Sequence, residues 1–112
     1  MLAPEIEARE AAKTLDLLRY ALVHERVDPR RYAIAIDPAG LGPGDDQFQL
    51  TQNADGWEIF YIERGQRSDI ACFANVRDAA KHLFMALTDP TSFYRHRPAW
   101  ERETGQEFSM IA

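Results

Sequence analysis

The periodicity of apolar residues changes at Gln47, and this change limits the folds that the chain can adopt. Before it, five apolar residues recur at spacings of three and four, which predicts an amphipathic helix over residues 5–25. They are Ala8, Ala11, Leu15, Leu18 and Leu22. From Gln47, Phe48 and Leu50 alternate with polar residues, as in a half-buried strand. A helix followed by strands predicts an α+β domain.

Short strand segments follow one another closely in the middle of the chain, joined by turn residues. The predicted strands are 32–36, 47–51, 57–62 and 67–74. Asp55-Gly56 and Arg64-Gly65 are turn signals between the last three strands. Strand 57–62 is apolar on both faces, which predicts that it is covered on both sides. Hairpin-linked strands favour a mainly antiparallel four-stranded sheet, with an N-terminal and a C-terminal helix packed on it.

The last third of the chain predicts a second helix and then a tail. Asn75 is a suitable N-cap for a helix that runs to about Thr88, where Asp89-Pro90 stops it. We therefore expect one domain over residues 1–112, with a core at about 5–88. The aromatic and basic residues of 89–112 predict a tail whose aromatics dock on the sheet, with a short helix near 98–103 packed back on the domain. A partner-contacting arm is the alternative.

Composition argues against several classes of protein. No apolar run approaches the roughly 20 residues that cross a bilayer, and the N-terminus does not resemble a signal peptide, so we expect a cytoplasmic protein without a membrane partner. The pI near 5.1 and the scattered basic residues argue against nucleic acid. The single cysteine, Cys72, lies in an apolar strand segment and is expected to be a buried, inert thiol.

The sequence contains no convincing catalytic or cofactor motif. The three histidines, His24, His82 and His96, lie on different segments without metal-ligand spacing, so no zinc site is expected. The glycines at 40–44 lack the Lys-Ser/Thr of a phosphate-binding loop. Glu58 and Glu63 are five apart on one strand and point to opposite faces, so they cannot flank one scissile bond. We expect no enzymatic activity and no cofactor.

Negative charge is concentrated in one stretch. Between Arg31 and Arg64 there are six carboxylates and no Lys or Arg, a formal charge of −6 against −5 for the whole chain. The carboxylates are Asp37, Asp45, Asp46, Asp55, Glu58 and Glu63. Such a stretch attracts a basic protein surface, although a merely solvated acidic face is the alternative. The Pro- and Gly-rich loop 37–46 is the segment expected to be mobile or to contact a partner. Glu63 beside Arg64 is either an ion pair that pins the turn or a charged anchor for a partner.

A resemblance to a known family rests on a set of separated positions within roughly residues 15–88. They are Tyr32, Ile34, Trp57, Glu63-Arg64-Gly65, Phe73, Ala79-Ala80 and Leu83. This pattern resembles small immunity proteins that bacteria encode beside polymorphic toxins, in particular toxins with the NAD-glycohydrolase domain of the tuberculosis necrotizing toxin. Loop 37–46 is longer than in that pattern, and the tail after Thr88 has no counterpart in it.

The resemblance implies a protein that binds the catalytic domain of a cognate toxin and occludes its NAD site. The side chains expected to contact the toxin combine aromatic and charged groups, which are frequent at interface hot spots. They are Asp45, Asp46, Trp57, Glu58, Tyr61, Glu63 and Arg64. The principal alternative is a small-molecule-sensing or regulatory module, which a dry, aromatic-lined cavity would indicate. A self-associating structural protein is a further alternative.

Overall fold

A computed structural model describes residues 4–108, with side chains from residue 7. Three helices and four strands occur in this range, which confirms the α+β class and the number of strands. The helices are α1 (Pro4–His24), α2 (Val76–Leu87) and α3 (Pro90–Thr104). The strands are β1 (Tyr32–Ala35), β2 (Gln47–Asn53), β3 (Gly56–Glu63) and β4 (Gln66–Phe73).

The sheet has the order β1-β2-β3-β4 and is mixed. The β2-β3 and β3-β4 pairs are antiparallel hairpins, as predicted, but β1 runs parallel to β2. A parallel neighbour requires a crossover connection of about a dozen residues instead of a tight turn. Residues 36–46 form that connection, which includes a single 3-10 turn at Pro38–Gly40.

This crossover lies on the second face of the sheet, the face opposite the helices. The Gln49 amide donates to the Gly42 carbonyl oxygen at 3.4 Å, and the Thr51 hydroxyl donates to the Ile36 carbonyl oxygen at 3.2 Å. Gln49 and Thr51 are both buried, although their residue types favour solvent. Loop 37–46 is therefore attached to the sheet at Gly42 and to the β3-β4 turn through Asp45, and it is not a free arm.

The main core lies between the first face of the sheet and the helices. Leu50, Trp57 and Ile59 supply its sheet side, and the apolar stripes of α1 and α2 supply the other. On the second face, Phe60 and Ile62 of β3 are also buried. The prediction that β3 is covered on both faces is confirmed.

Helix α3 is longer than predicted and belongs to the core, so the expected limit of the core at residue 88 is wrong. It packs on α1 and α2. Asp89-Pro90 ends α2 but also begins α3, because the Asp89 carboxylate accepts from the Thr91 N–H at 2.9 Å and proline fits the first turn. The tail aromatics Phe93 and Trp100 are buried, which confirms that the tail docks, but α3 packs on the helices and the expected docking surface, the sheet, is wrong.

Cys72 is exposed, and the prediction of a buried thiol is wrong. It lies on β4, whose outer edge has no neighbouring strand in the sheet of the described residues. Its side chain shares the second face, where the crossover contacts β1 and β2 rather than β4. Ile70, also on β4, is exposed as well.

Candidate functional site

Strand pairing brings the two halves of the acidic stretch together at one end of the sheet. Gln47, the first residue of β2, pairs with Ile62 near the end of β3. The residues before β2 therefore meet the turn after β3, and the Arg64 N–H donates to the Asp45 carboxylate at 2.9 Å. We call this surface the acidic end and define it as Asp45, Asp46, Tyr61, Glu63 and Arg64.

The three carboxylates of the acidic end all raise the pKa of one side chain, Tyr61. Partial burial raises the pKa of Tyr61, and the negative charges of Asp46, Glu63 and Asp45 raise it further, against a smaller opposite effect of Arg31. The Tyr61 ring lies edge-on to Phe48 at 5.0 Å between ring centroids. Three negative charges thus act on a half-buried aromatic side chain that packs edge-on against Phe48.

The backbone of the acidic end is held in an uncommon conformation. Arg64 and Gly65 have φ values of 53° and 75°, and they form the two-residue turn between β3 and β4. This turn favours Asn or Gly at its first central position, and a left-handed conformation costs other residues about 1 kcal/mol or more. Asp46 also has a positive φ, of 50°. Local strain of this kind is concentrated at functional sites.

Asp45, rather than Glu63, pins the β3-β4 turn. Among the ion pairs of residues 7–108, none joins Glu63 to Arg64, so the predicted ion pair is not observed. Both side chains are exposed and point away from the core. Of the two interpretations of Glu63-Arg64, the exposed charged anchor is the one compatible with this geometry.

Two of the predicted contact residues lie elsewhere. Trp57 is only 5% exposed and packs in the main core at the far end of β3, so it cannot offer a contact surface. Glu58 lies on the second face, 3.7 Å from the Arg67 guanidinium, which itself covers the Phe60 ring at 4.1 Å. The structure thus gathers five of the seven predicted residues and excludes these two from the acidic end.

A second polar cluster lies where the end of α1 meets α3, and sequence spacing gave no signal for it. The Glu25 carboxylate is 3.0 Å from His96 Nε2, 3.2 Å from His24 Nδ1 and 2.6 Å from the Arg95 guanidinium. These contacts, with the hydrogen bond to His96 contributing most, lower the pKa of Glu25 from 4.5 to about 2. His24 and His96 are 72 positions apart, so only the packing of α3 on α1 brings them together.

An open cleft of about 530 Å³ lies at the opposite end of the sheet, between the first half of α1 and the start of α2. Trp57 forms part of its wall, and Glu10, Gln52, Asn75 and Arg77 add polar groups. A volume of this size is within the range of ligand pockets, roughly 300–1,000 Å³. One aromatic side chain, Trp57, lines the cleft together with polar groups. The cleft therefore differs from the dry, aromatic-lined cavity expected of a small-molecule sensor.

Two further findings concern membrane-spanning helices and similarity to known proteins. Within residues 4–108, none of the helices has the length and apolar character needed to cross a bilayer. No protein-family model, curated protein or solved structure matches this chain.

Proposed function

We propose that this protein is an immunity protein, which binds and inhibits a cognate bacterial toxin by occluding its active site, and that the toxin is an NAD(P)-glycohydrolase. The observation that carries the proposal is the acidic end. Asp45 and Asp46 precede β2 and Glu63 ends β3, and strand pairing brings these exposed acids to the same end of the sheet as Tyr61.

Electrostatics favour this kind of partner. An enzyme that cleaves NAD must bind a dinucleotide with two phosphates, and its cleft therefore carries positive potential. A cluster of carboxylates is attracted to the same potential and accelerates diffusional encounter. The acidic end is thus complementary to a dinucleotide site and repelled by nucleic acid.

The acidic end is also preorganised. The hydrogen bond from the Arg64 N–H to Asp45 fixes loop 37–46 against the β3-β4 turn before any partner arrives. Binding then requires little additional ordering of backbone, and ordering is one of the main costs of association. Tyr61 and Arg64 belong to residue types that are enriched among hot spots, and both lie beside the carboxylates.

Co-expression with the toxin domain encoded by the adjacent reading frame tests the proposal. The readouts are cell survival, cellular NAD and co-purification of a one-to-one complex. The test variant combines Asp45→Asn, Asp46→Asn and Glu63→Gln, which preserve side-chain shape and remove three negative charges. We expect it to slow association by about tenfold or more at low salt.

A matched control removes the same charge from exposed acids outside the acidic end: Asp16→Asn, Asp55→Asn and Glu103→Gln. It should protect cells as the unmodified protein does. Equal weakening by both triple variants would show that only net charge matters and would refute the acidic end as the contact surface. Survival without preserved NAD would keep the immunity function but exclude an NAD-consuming toxin.

The volume of the cleft beside Trp57 supports a second candidate function, that of a small-molecule-sensing or regulatory module, although its lining is not the dry, aromatic one expected of such a module. Its volume and mixed polar lining could accommodate a metabolite. A thermal-shift screen with nucleotides and amino acids tests this candidate, with Arg77→Ala as the variant expected to lose any response. Because the cleft lies at the opposite end of the sheet, its ligand should bind equally well to the acidic-end triple variant.

A further inference from the structure

We propose that His24, Glu25 and His96 form a binding site for a divalent transition-metal ion, of which Zn²⁺ fits best. The site is separate from the acidic end, and the proposal does not depend on the immunity function. It rests on the geometry of three potential ligand atoms, on the contacts that orient them and on the access of solvent to the cluster.

The potential ligand atoms already have nearly the spacing that a metal requires. Glu25 Oε2 is 3.0 Å from His96 Nε2 and 3.2 Å from His24 Nδ1, and all three atoms lie within 4.8 Å of one another. In tetrahedral zinc sites the bonds to nitrogen and oxygen are about 2.0–2.2 Å, which places neighbouring ligand atoms about 3.3 Å apart. Both measured distances from the carboxylate differ from this value by only a few tenths of an ångström.

The ligand types also select the ion. Two imidazoles and one carboxylate are borderline ligands that suit Zn²⁺ and its neighbours in the transition series better than Ca²⁺ or Mg²⁺. Three protein ligands leave a fourth position for water or for an atom of a partner. To bind the ion, His24 Nδ1 and His96 Nε2 must carry no proton. Each neutral ring then carries its proton on its other nitrogen.

Contacts outside the three ligands orient them. Arg95 Nη2 donates to Glu25 Oε1 at 2.6 Å and to Ser92 Oγ at 3.0 Å, so one carboxylate oxygen is held while Oε2 faces the histidines. His96 is buried, and its ring lies edge-on to Phe84 at 5.3 Å between centroids. Hydrogen-bonded carboxylates and fixed imidazoles are the usual surroundings of protein-bound metals.

The charges around the three ligands and the exposure of His24 to solvent affect how a cation would bind. The Arg95 guanidinium opposes a second positive charge, and we therefore expect affinity near the micromolar range rather than tighter. Asp28 and Asp89 line the cleft that adjoins Glu25, but Arg26 and Arg31 line it as well, so the negative charge that favours the ion is that of Glu25 itself. The His24 side chain is 58% exposed, which leaves a path for a hydrated ion.

Isothermal titration calorimetry with ZnCl2 on the full chain tests the proposal. All measurements use a Cys72→Ser background, because the exposed Cys72 thiol is a competing zinc ligand. We expect one ion per chain. His24→Gln should weaken the affinity by about tenfold or more, while His82→Gln, a histidine outside the cluster, should not.

Imidazole ¹⁵N spectra provide a readout that does not depend on affinity. Zinc should shift the ring signals of His24 and His96 and leave those of His82 unchanged. His24→Gln alters an exposed side chain, and circular dichroism verifies that the variant remains folded. Zinc binding that disappears in the Cys72→Ser background, or that His24→Gln leaves unchanged, would overturn the proposal.

Discussion

Trp100 offers the sharpest test of whether residues 90–108 belong to the core. Its side chain is 1% exposed and lies at the centre of an aromatic cluster. The ring centroids of Phe84, Phe93 and Phe108 are 5.7, 5.8 and 5.4 Å from the indole, in edge-to-face arrangements. Trp100→Ala removes all three contacts and leaves a cavity between α2 and α3.

The expected effect is large on the scale of the whole domain. Truncation of a buried Phe or Trp to Ala costs about 3–5 kcal/mol. Edge-to-face pairs contribute about 0.5–1.5 kcal/mol each beyond their buried area, which places Trp100 in the upper part of that range. A domain of this size has a free energy of unfolding of about 5–15 kcal/mol, so Trp100→Ala should remove about 4–5 kcal/mol of it.

Urea unfolding measures this difference, with the fluorescence of Trp57 as the signal that remains in the variant. The matched control is Tyr94→Ala on the same helix, where the side chain is 54% exposed. Exposed substitutions usually change stability by about 0.5 kcal/mol or less. If Trp100→Ala destabilised the protein no more than Tyr94→Ala does, α3 would not pack as described and the enlarged core would be wrong.

Three smaller perturbations test local features of the fold. Gly56→Ala should lower the free energy of unfolding by about 2 kcal/mol, because Gly56 has φ of 153° and a Cβ there would collide with the Phe73 carbonyl oxygen. Urea titration measures the effect, and an unchanged unfolding midpoint would contradict this prediction. The His82 ring is partly desolvated beside Phe73, which lowers its pKa below 6.5 although the residue as a whole is exposed. The unfolded chain therefore binds the proton more tightly, and stability should fall as pH drops below about 6.5; an NMR titration midpoint at or above 6.5 would refute the desolvation argument. Asp45→Ala should speed hydrogen exchange of the Arg64 amide, whereas Asp45→Asn, which keeps an acceptor oxygen, should not.

The fold was predictable where a local pattern decides the structure. The stripes of α1 and α2 and the turns after β2 and β3 follow from residue types alone. The direction of β1 did not, because the residues of a short strand do not encode whether its neighbour is parallel or antiparallel. Helix α3 was underestimated because Asp89-Pro90 is equally suited to end one helix and to begin another.

The candidate site was predictable only in part, for a related reason. Antiparallel pairing of β2 with β3 brings Asp45 and Asp46 to Glu63, and the hairpin signals imply that pairing. Trp57 was misplaced because it shares one face of β3 with Tyr61, and the pattern does not show that this face is buried at Trp57 and only half-buried at Tyr61. The approach of His24 to His96 depends on how α3 packs, and no spacing along the chain reports it.

The crossover explains why the acidic end is not an acidic stretch on a free loop. A parallel β1 forces the chain to return across the second face, and that return path ends beside the β3-β4 turn. The residues that cover Gln49 and Thr51 are therefore continuous with those that deliver Asp45 and Asp46. The Asp45 carboxylate is held by the Arg64 N–H, instead of extending on a free loop. A charge cluster that is fixed in this way can match a particular partner in shape as well as in sign, and an acidic stretch of chain without such contacts could match only the sign.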